Sequence, residues 1–118
     1  MDNSNTPQLF TKACNFVWQD VGEGISRCII CYDEKLMLVK VSFAKDAIGA
    51  MHQHHHTQIT CIEQGVFEVT IQGEEKVLSA GDSFYVPPGA MHGVRCLEPG
   101  VLTDMFSPMR EDFLTTVL

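Results

Sequence analysis

Apolar and polar residues alternate most regularly from Phe67 to Gln72, where Phe67, Val69 and Ile71 fall on one face and Glu68, Thr70 and Gln72 on the other. A period of two is that of a half-buried strand. Leu36 to Phe43, His92 to Leu97 and Val101 to Phe106 are similar short runs rich in β-branched residues and predict further strands. Turn-forming residues stand at Asp33-Glu34, Lys45-Asp46, Gln64-Gly65, Gln72-Gly73, Ala80-Gly81-Asp82, Pro87-Pro88-Gly89 and Pro99-Gly100. Each is expected to end a strand. Short strands at such even spacing predict an all-β sandwich or barrel. Helical signals are weak: a turn or two near Phe10 to Cys14, and a cap over one end of the barrel from Arg110 to Val117.

The chain has 118 residues, enough for one domain with one core and too few for a second. The domain is expected to span residues 1–118, with its barrel core at about residues 25–107. Hydrophobic residues make up 45% and charged residues 19%, so disorder is expected only in the polar start, Met1 to Gln8. The net charge of −7 argues against nucleic acid as a partner, because phosphate binding needs a basic face. No apolar run approaches the roughly 20 residues of a membrane span. The start MDNSNTPQ lacks the basic and apolar segments of a signal peptide, which leaves the cytoplasm as the expected location. Five cysteines, Cys14, Cys28, Cys31, Cys61 and Cys96, are an odd number without a dense framework, so reduced thiols are expected. Cys28 and Cys31 have a redox or zinc spacing but lie in a strand-like run, where they are expected to point to opposite faces.

Four of the five histidines fall in Met51-His52-Gln53-His54-His55-His56-Thr57-Gln58, and the fifth is His92. A histidine run can be a purification tag, but this one is interior, and a lone histidine is usually structural or solvated. On a strand, His52 and His54 share one face and converge, and neutral imidazoles suit Zn, Ni, Fe, Mn or Cu. Gln58 would lie roughly 13 Å from His54 on a straight strand. For Gln58 to join the pair, the chain must bend at His55 to Thr57 and open a new strand at Gln58. His55 is then expected to face water, and His56 to support the ligands rather than bind.

Gly49-x-x-His52-x-His54-x-x-x-Gln58, running on to Gly65, resembles the first motif of the cupins, and Gly81 to His92, with Pro87 and the closing His92, resembles the second. The resemblance implies a double-stranded β-helix, or jelly-roll, barrel. It also implies one divalent transition metal ion (Ni, Zn, Mn or Fe) on His52, His54, Gln58 and His92. Most cupins carry glutamate where this chain has Gln58. An amide leaves the ligand set neutral and the ion with its full double charge, which favours Lewis-acid chemistry on an anion over iron redox chemistry.

From Asp104 to Leu114 the chain further resembles the small KdgF-type cupins of pectin and alginate breakdown, which also carry a His-x-His-x-His-x-Gln run. Those proteins ketonise unsaturated monouronates. The resemblance covers roughly Phe16 to Leu114. It implies Asp104, Phe106 and Arg110 as catalytic residues acting on a small anionic sugar, against the plainer alternative of an Asp104–Arg110 surface ion pair with Phe106 in the core. Two other functions compete: a cupin dioxygenase, and a non-catalytic sugar- or metal-binding module. Met37, Met51, Met91, Met105 and Met109 are expected to fill the barrel and pocket wall. Phe16 and Trp18 are expected to cover a barrel edge or a partner, and a homodimer is the expected assembly.

Overall fold

The computed structural model describes residues 7–114. Most of the polar start, Met1 to Thr6, and the last four residues, Thr115 to Leu118, lie outside them. Among the described residues a 3-10 turn at Ala13–Asn15 precedes eight strands: β1 (Gln19–Gly22), β2 (Ile25–Tyr32), β3 (Met37–Phe43), β4 (Ile48–His52), β5 (Thr57–Ile71), β6 (Glu74–Ser79), β7 (Ser83–Val86) and β8 (His92–Ser107). One short helix, α1 (Glu111–Leu114), follows. No helix of the described residues is long and apolar enough to cross a membrane.

All pairings are antiparallel, in the order β1-β2-β3-β8-β5-β6. β4 pairs with the start of β8, and β7 with the start of β5. The two long strands therefore form a spine shared by two sheets. The end of β8 and the start of β5 carry β3 and β7, while the start of β8 and the end of β5 carry β4 and β6. This is the jelly-roll barrel of the expected all-β class.

Two expected turns do not end strands. Gln64-Gly65 and Pro99-Gly100 lie inside β5 and β8, where the register shifts between Ile62 and Phe67. The chain bends from one sheet to the other there by bulging, which extra residues in a ladder allow. Gly65 has φ +87°, and a Cβ on it would lie 2.6 Å from Gly100 Cα, so the two strands cross where neither carries a side chain. The shift also changes which parity faces inward. Gln58, Thr60 and Ile62 are buried before it, and Phe67 and Val69 after it.

The core has two parts. Phe43, Ile62, Phe67, Val69, Cys96 and Leu102 fill one end, with Phe43 and Phe67 edge to face at 5.2 Å. Met37, Val39 and Phe106 fill the other, beneath Met109 and Phe113.

Two further expectations are corrected. A bulge in β2 between Ile29 and Cys31 sets Cys28 opposite Lys40 and Cys31 opposite Leu38. Lys40 and Leu38 share a face of β3, so the extra residue brings both cysteines to the same outer face. Cys28 is nonetheless buried while Cys31 is exposed. The Val17 backbone hydrogen-bonds Cys28, so the segment next to Phe16 and Trp18 lies against β2. Met51, Met91 and Met105 are exposed rather than core, in contrast to Met37. Met51 precedes His52 on β4, and a strand neighbour of a residue lining the cavity points out.

Candidate metal centre

β4 ends at His52, and His54 lies just past it, so the two histidines do not share a strand face as expected. The bend at His55 to Thr57 is present, and Gln58 is the second residue of β5. It stands opposite Phe106 on β8. His92 opens β8 directly opposite His52. Three separate elements thus converge at one mouth of the barrel.

One ring nitrogen each of His52, His54 and His92 lies within 4.8 Å of the others. The other nitrogen of each ring is engaged. His52 Nδ1 lies 2.9 Å from the Ala50 carbonyl, His92 Nδ1 2.9 Å from the Ala90 carbonyl, and His54 Nδ1 3.2 Å from the His56 carbonyl. Carbonyl oxygens only accept, so Nδ1 of His52 and of His92 carries the proton and donates it. That leaves Nε2 of each with a bare lone pair, the tautomer that a metal-binding histidine needs. His92 Nε2 is buried and has no hydrogen-bond partner. His54 has an acceptor at each ring nitrogen, the His56 carbonyl at Nδ1 and Gln58 Oε1 at 3.0 Å from Nε2, and a neutral ring donates to only one of them. With the proton on Nδ1, Nε2 and Oε1 would both turn lone pairs toward a divalent cation, and the neutral N,N,N,O donor set fits a transition metal.

Burial favours the neutral form of two of these rings. Burial pushes His54 down to about 4, with the Arg110 charge adding to it, and burial lowers His92 as well.

Behind the histidines a cavity of about 300 Å³ is lined by His52, Gln58, His92, Asp104, Phe106 and Arg110, among others. Asp104 is on the inner face of β8 opposite Thr60. Thr60 Oγ1 donates to Asp104 Oδ1 at 2.6 Å and accepts from Gln58 Nε2 at 2.9 Å. Burial pushes the Asp104 carboxyl up to about 6, against the opposing pull of the Thr60 hydrogen bond and Arg110. Arg110 precedes α1 and is buried with Asp104, so the surface ion pair is not what forms. Instead Arg110 Nε and Nη2 grip Asp112 at 3.0 and 2.8 Å. Phe106 is in the core and also lines the cavity.

Two contributors escaped sequence reasoning. Arg27, on β2, also lines the cavity. Its guanidinium sits 4.0 Å from the Phe113 ring centroid, and that of Arg110 sits 4.2 Å from the same ring. Thr60 was hidden as a polar residue within an apolar run, although its parity with Gln58 was readable. His55 is exposed and His56 buried. Their rings stack at 3.9 Å near Glu111. One ligand atom each of His55, His56 and Glu111 lies within 4.8 Å of the others, a group separate from that of His52, His54 and His92.

Residues 39–106 match the family described as Cupin domain. The chain is 50% identical over 99 residues, 82% of its length, to the pectin degradation protein KdgF of Dickeya dadantii, 90% of which is covered. Among solved structures, KdgF from Halomonas sp. superposes with a TM-score of 0.87 at 44% identity, covering 90% of this chain and 98% of that one. An RmlC-like cupin from Shewanella frigidimarina gives 0.88 at 42% identity, covering 90% and 96%.

Proposed function

The chain belongs to the cupin family, together with the KdgF proteins, and from that premise we propose that it is a metal-dependent enzyme of pectin- or alginate-type breakdown that opens 4,5-unsaturated monouronates to linear 2-keto acids. The observation that carries this reading is the shared cavity: a buried carboxyl (Asp104) and a buried guanidinium (Arg110) line the same 300 Å³ space as His52, Gln58 and His92. A sensor or storage barrel has no use for a buried acid whose pKa is raised to about 6 beside such a centre. The relation to a pectin degradation protein supports the substrate class.

The substrate is a cyclic enol ether with a hydroxyl on its anomeric carbon. Loss of the hydroxyl proton drives C1–O5 cleavage, giving an aldehyde at C1 and an enolate at C5 beside the C6 carboxylate. Protonation at C4 completes the 2-keto acid. A divalent ion on His52, His54, Gln58 and His92 supplies Lewis-acid stabilisation of oxyanion charge. Asp104 takes and returns the proton, which a carboxyl near 6 does at neutral pH. Asp112 occupies one edge of Arg110, and the other edge, Nη1 and the second Nη2 hydrogen, receives the substrate carboxylate. Phe106 packs against the sugar ring. The same proposal places the protein in the cytoplasm as a homodimer. The exposed cross-strand row of Tyr85, Ile59 and Met105 on the outer sheet supports the second copy.

The test supplies a fresh 4,5-unsaturated monouronate to metal-loaded protein and follows loss of the conjugated double bond against its spontaneous decay. Acceleration that disappears with a chelator and in Arg110→Ala is expected. No acceleration with Ni, Zn, Mn or Fe would sink the reading and favour an oxygen-dependent cupin.

A further inference from the structure

We propose that Thr60 is a positioning residue of the metal centre, its single hydroxyl proton deciding which end of the Gln58 amide faces the three imidazoles. The inference rests on the metal centre proposed above and goes one step behind it. A glutamine side chain has an acceptor end and a donor end, and only its oxygen can hold a cation. Nothing in the side chain itself prefers one end, so a neighbour must choose.

Thr60 is fully buried and stands directly between the two groups concerned. It faces Asp104 across the β5–β8 ladder and shares the inner face of β5 with Gln58. Its Oγ1 lies 2.6 Å from Asp104 Oδ1 and 2.9 Å from Gln58 Nε2. A hydroxyl has one proton to give, and an ionised carboxylate can only accept. Once that proton goes to Asp104, the oxygen turns lone pairs toward Gln58, and only the NH2 end can meet them. Oε1 is then forced toward the centre, where it lies 3.0 Å from His54 Nε2. The direction of the chain is set throughout: Gln58 donates to Thr60, and Thr60 donates to Asp104.

The same chain accounts for an amide at position 58. A carboxylate there would meet the Thr60 oxygen without a proton to offer, so two buried acids would compete for one hydroxyl hydrogen. A carboxylate, on the other hand, has no wrong end and needs no lock. Gln58, Thr60 and Asp104 therefore form one unit in which the hydroxyl matters only because the ligand is an amide.

That dependence is the basis of the test. Ni(II) binding to metal-stripped protein is titrated calorimetrically for the unmutated chain, Thr60→Val, Thr60→Ser, Gln58→Glu and the Gln58→Glu/Thr60→Val pair, with circular dichroism confirming folding. If Thr60→Val does not fold, Thr60→Ala takes its place in both backgrounds. Thr60→Val is expected to weaken Ni(II) binding by about ten- to a hundred-fold, the usual effect of removing a group that orients a ligand, and Thr60→Ser by less than about three-fold. In the Gln58→Glu background, the valine is expected to change affinity by less than about three-fold, since both carboxylate oxygens can ligate. Equal Ni(II) affinity in Thr60→Val and the unmutated chain overturns the lock while leaving the metal centre standing. An equal loss in both backgrounds also overturns it, because general damage does not depend on residue 58. No Ni(II) binding by the unmutated chain overturns the centre itself and the lock with it.

Discussion

Asp104 carries an electrostatic penalty in the cavity, since burial holds its carboxyl near 6 rather than at its ordinary 3.8. In metal-free protein the folded state therefore binds more protons than the unfolded state between those two values. The contribution of Asp104 to stability is complete below about pH 3.8 and is lost as the pH rises through about 6. Asp104→Asn has no such carboxyl, so its stability relative to the unmutated protein should improve between about pH 4 and pH 7.5, by on the order of 1–3 kcal/mol. His54 works in the opposite sense, because its lowered value near 4 makes stability rise with pH, but both proteins share it and it cancels in the difference. Urea titrations at several pH values check this, and a difference that does not move with pH would remove the buried-carboxylate account. The same variant should lose about a hundred-fold or more in turnover of the unsaturated uronate if Asp104 transfers the proton. Unchanged kinetics would take Asp104 out of the mechanism.

Strands β5 and β8 set the positions of nearly everything that matters, and they do so through a bulged crossing at Gly65 and Gly100. Gly65→Ala puts a Cβ at φ +87° against the backbone of residues 98 to 100, where no side-chain movement can relieve it. A loss of about 2–4 kcal/mol is expected, read as a lower urea midpoint; a midpoint equal to that of the unmutated chain would mean the crossing has slack. At the other end, α1 brings Phe113 between the guanidiniums of Arg27 and Arg110, which lie 4.0 and 4.2 Å from its ring. Two like charges share one aromatic ring, and burial, with the Arg110 charge adding to it, lowers the pKa of Arg27. Phe113→Ala should let the pair spread, raising KM several-fold with a smaller fall in kcat. A pure kcat effect would place Phe113 in the chemistry instead of in anion binding.

As a whole, the molecule is acidic, at −7, yet the proposed substrate is an anion. A divalent ion on a neutral histidine–glutamine set, together with Arg27 and Arg110, would outweigh Asp104 and Asp112 locally, which is what counts inside a low-dielectric cavity. Because the four proposed ligands come from β4, the segment after it, β5 and β8, metal binding should tie the barrel mouth together. Saturating Ni(II) is expected to raise the melting temperature by on the order of 10 °C, and a chelator should reverse it. An unchanged melting temperature would count against a preformed centre. Sedimentation equilibrium at twice the chain mass, falling to one chain mass in Ile59→Asp, is the expected outcome for the proposed homodimer, and one chain mass for the unmutated protein would rule it out.

What the sequence determined by itself was local and periodic. Alternation placed β3 and the end of β5, and the turn at Gln72-Gly73 lies between β5 and β6 as expected. The two histidine motifs and the necessary bend before Gln58 were legible because ligand spacing and strand rise leave little choice. The tertiary structure decided what depends on partners across the sheet. Whether Gln64-Gly65 and Pro99-Gly100 ended strands or bent them was settled by the close crossing of two backbones, which no local signal encodes. Whether Cys28 and Cys31 shared a face depended on one bulged residue in β2. The roles of Thr60 and Arg27 appeared only when residue 60 met residue 104, and residue 27 met residue 113. Hydrogen bonds and ring contacts over such sequence distances exist only once the barrel has closed.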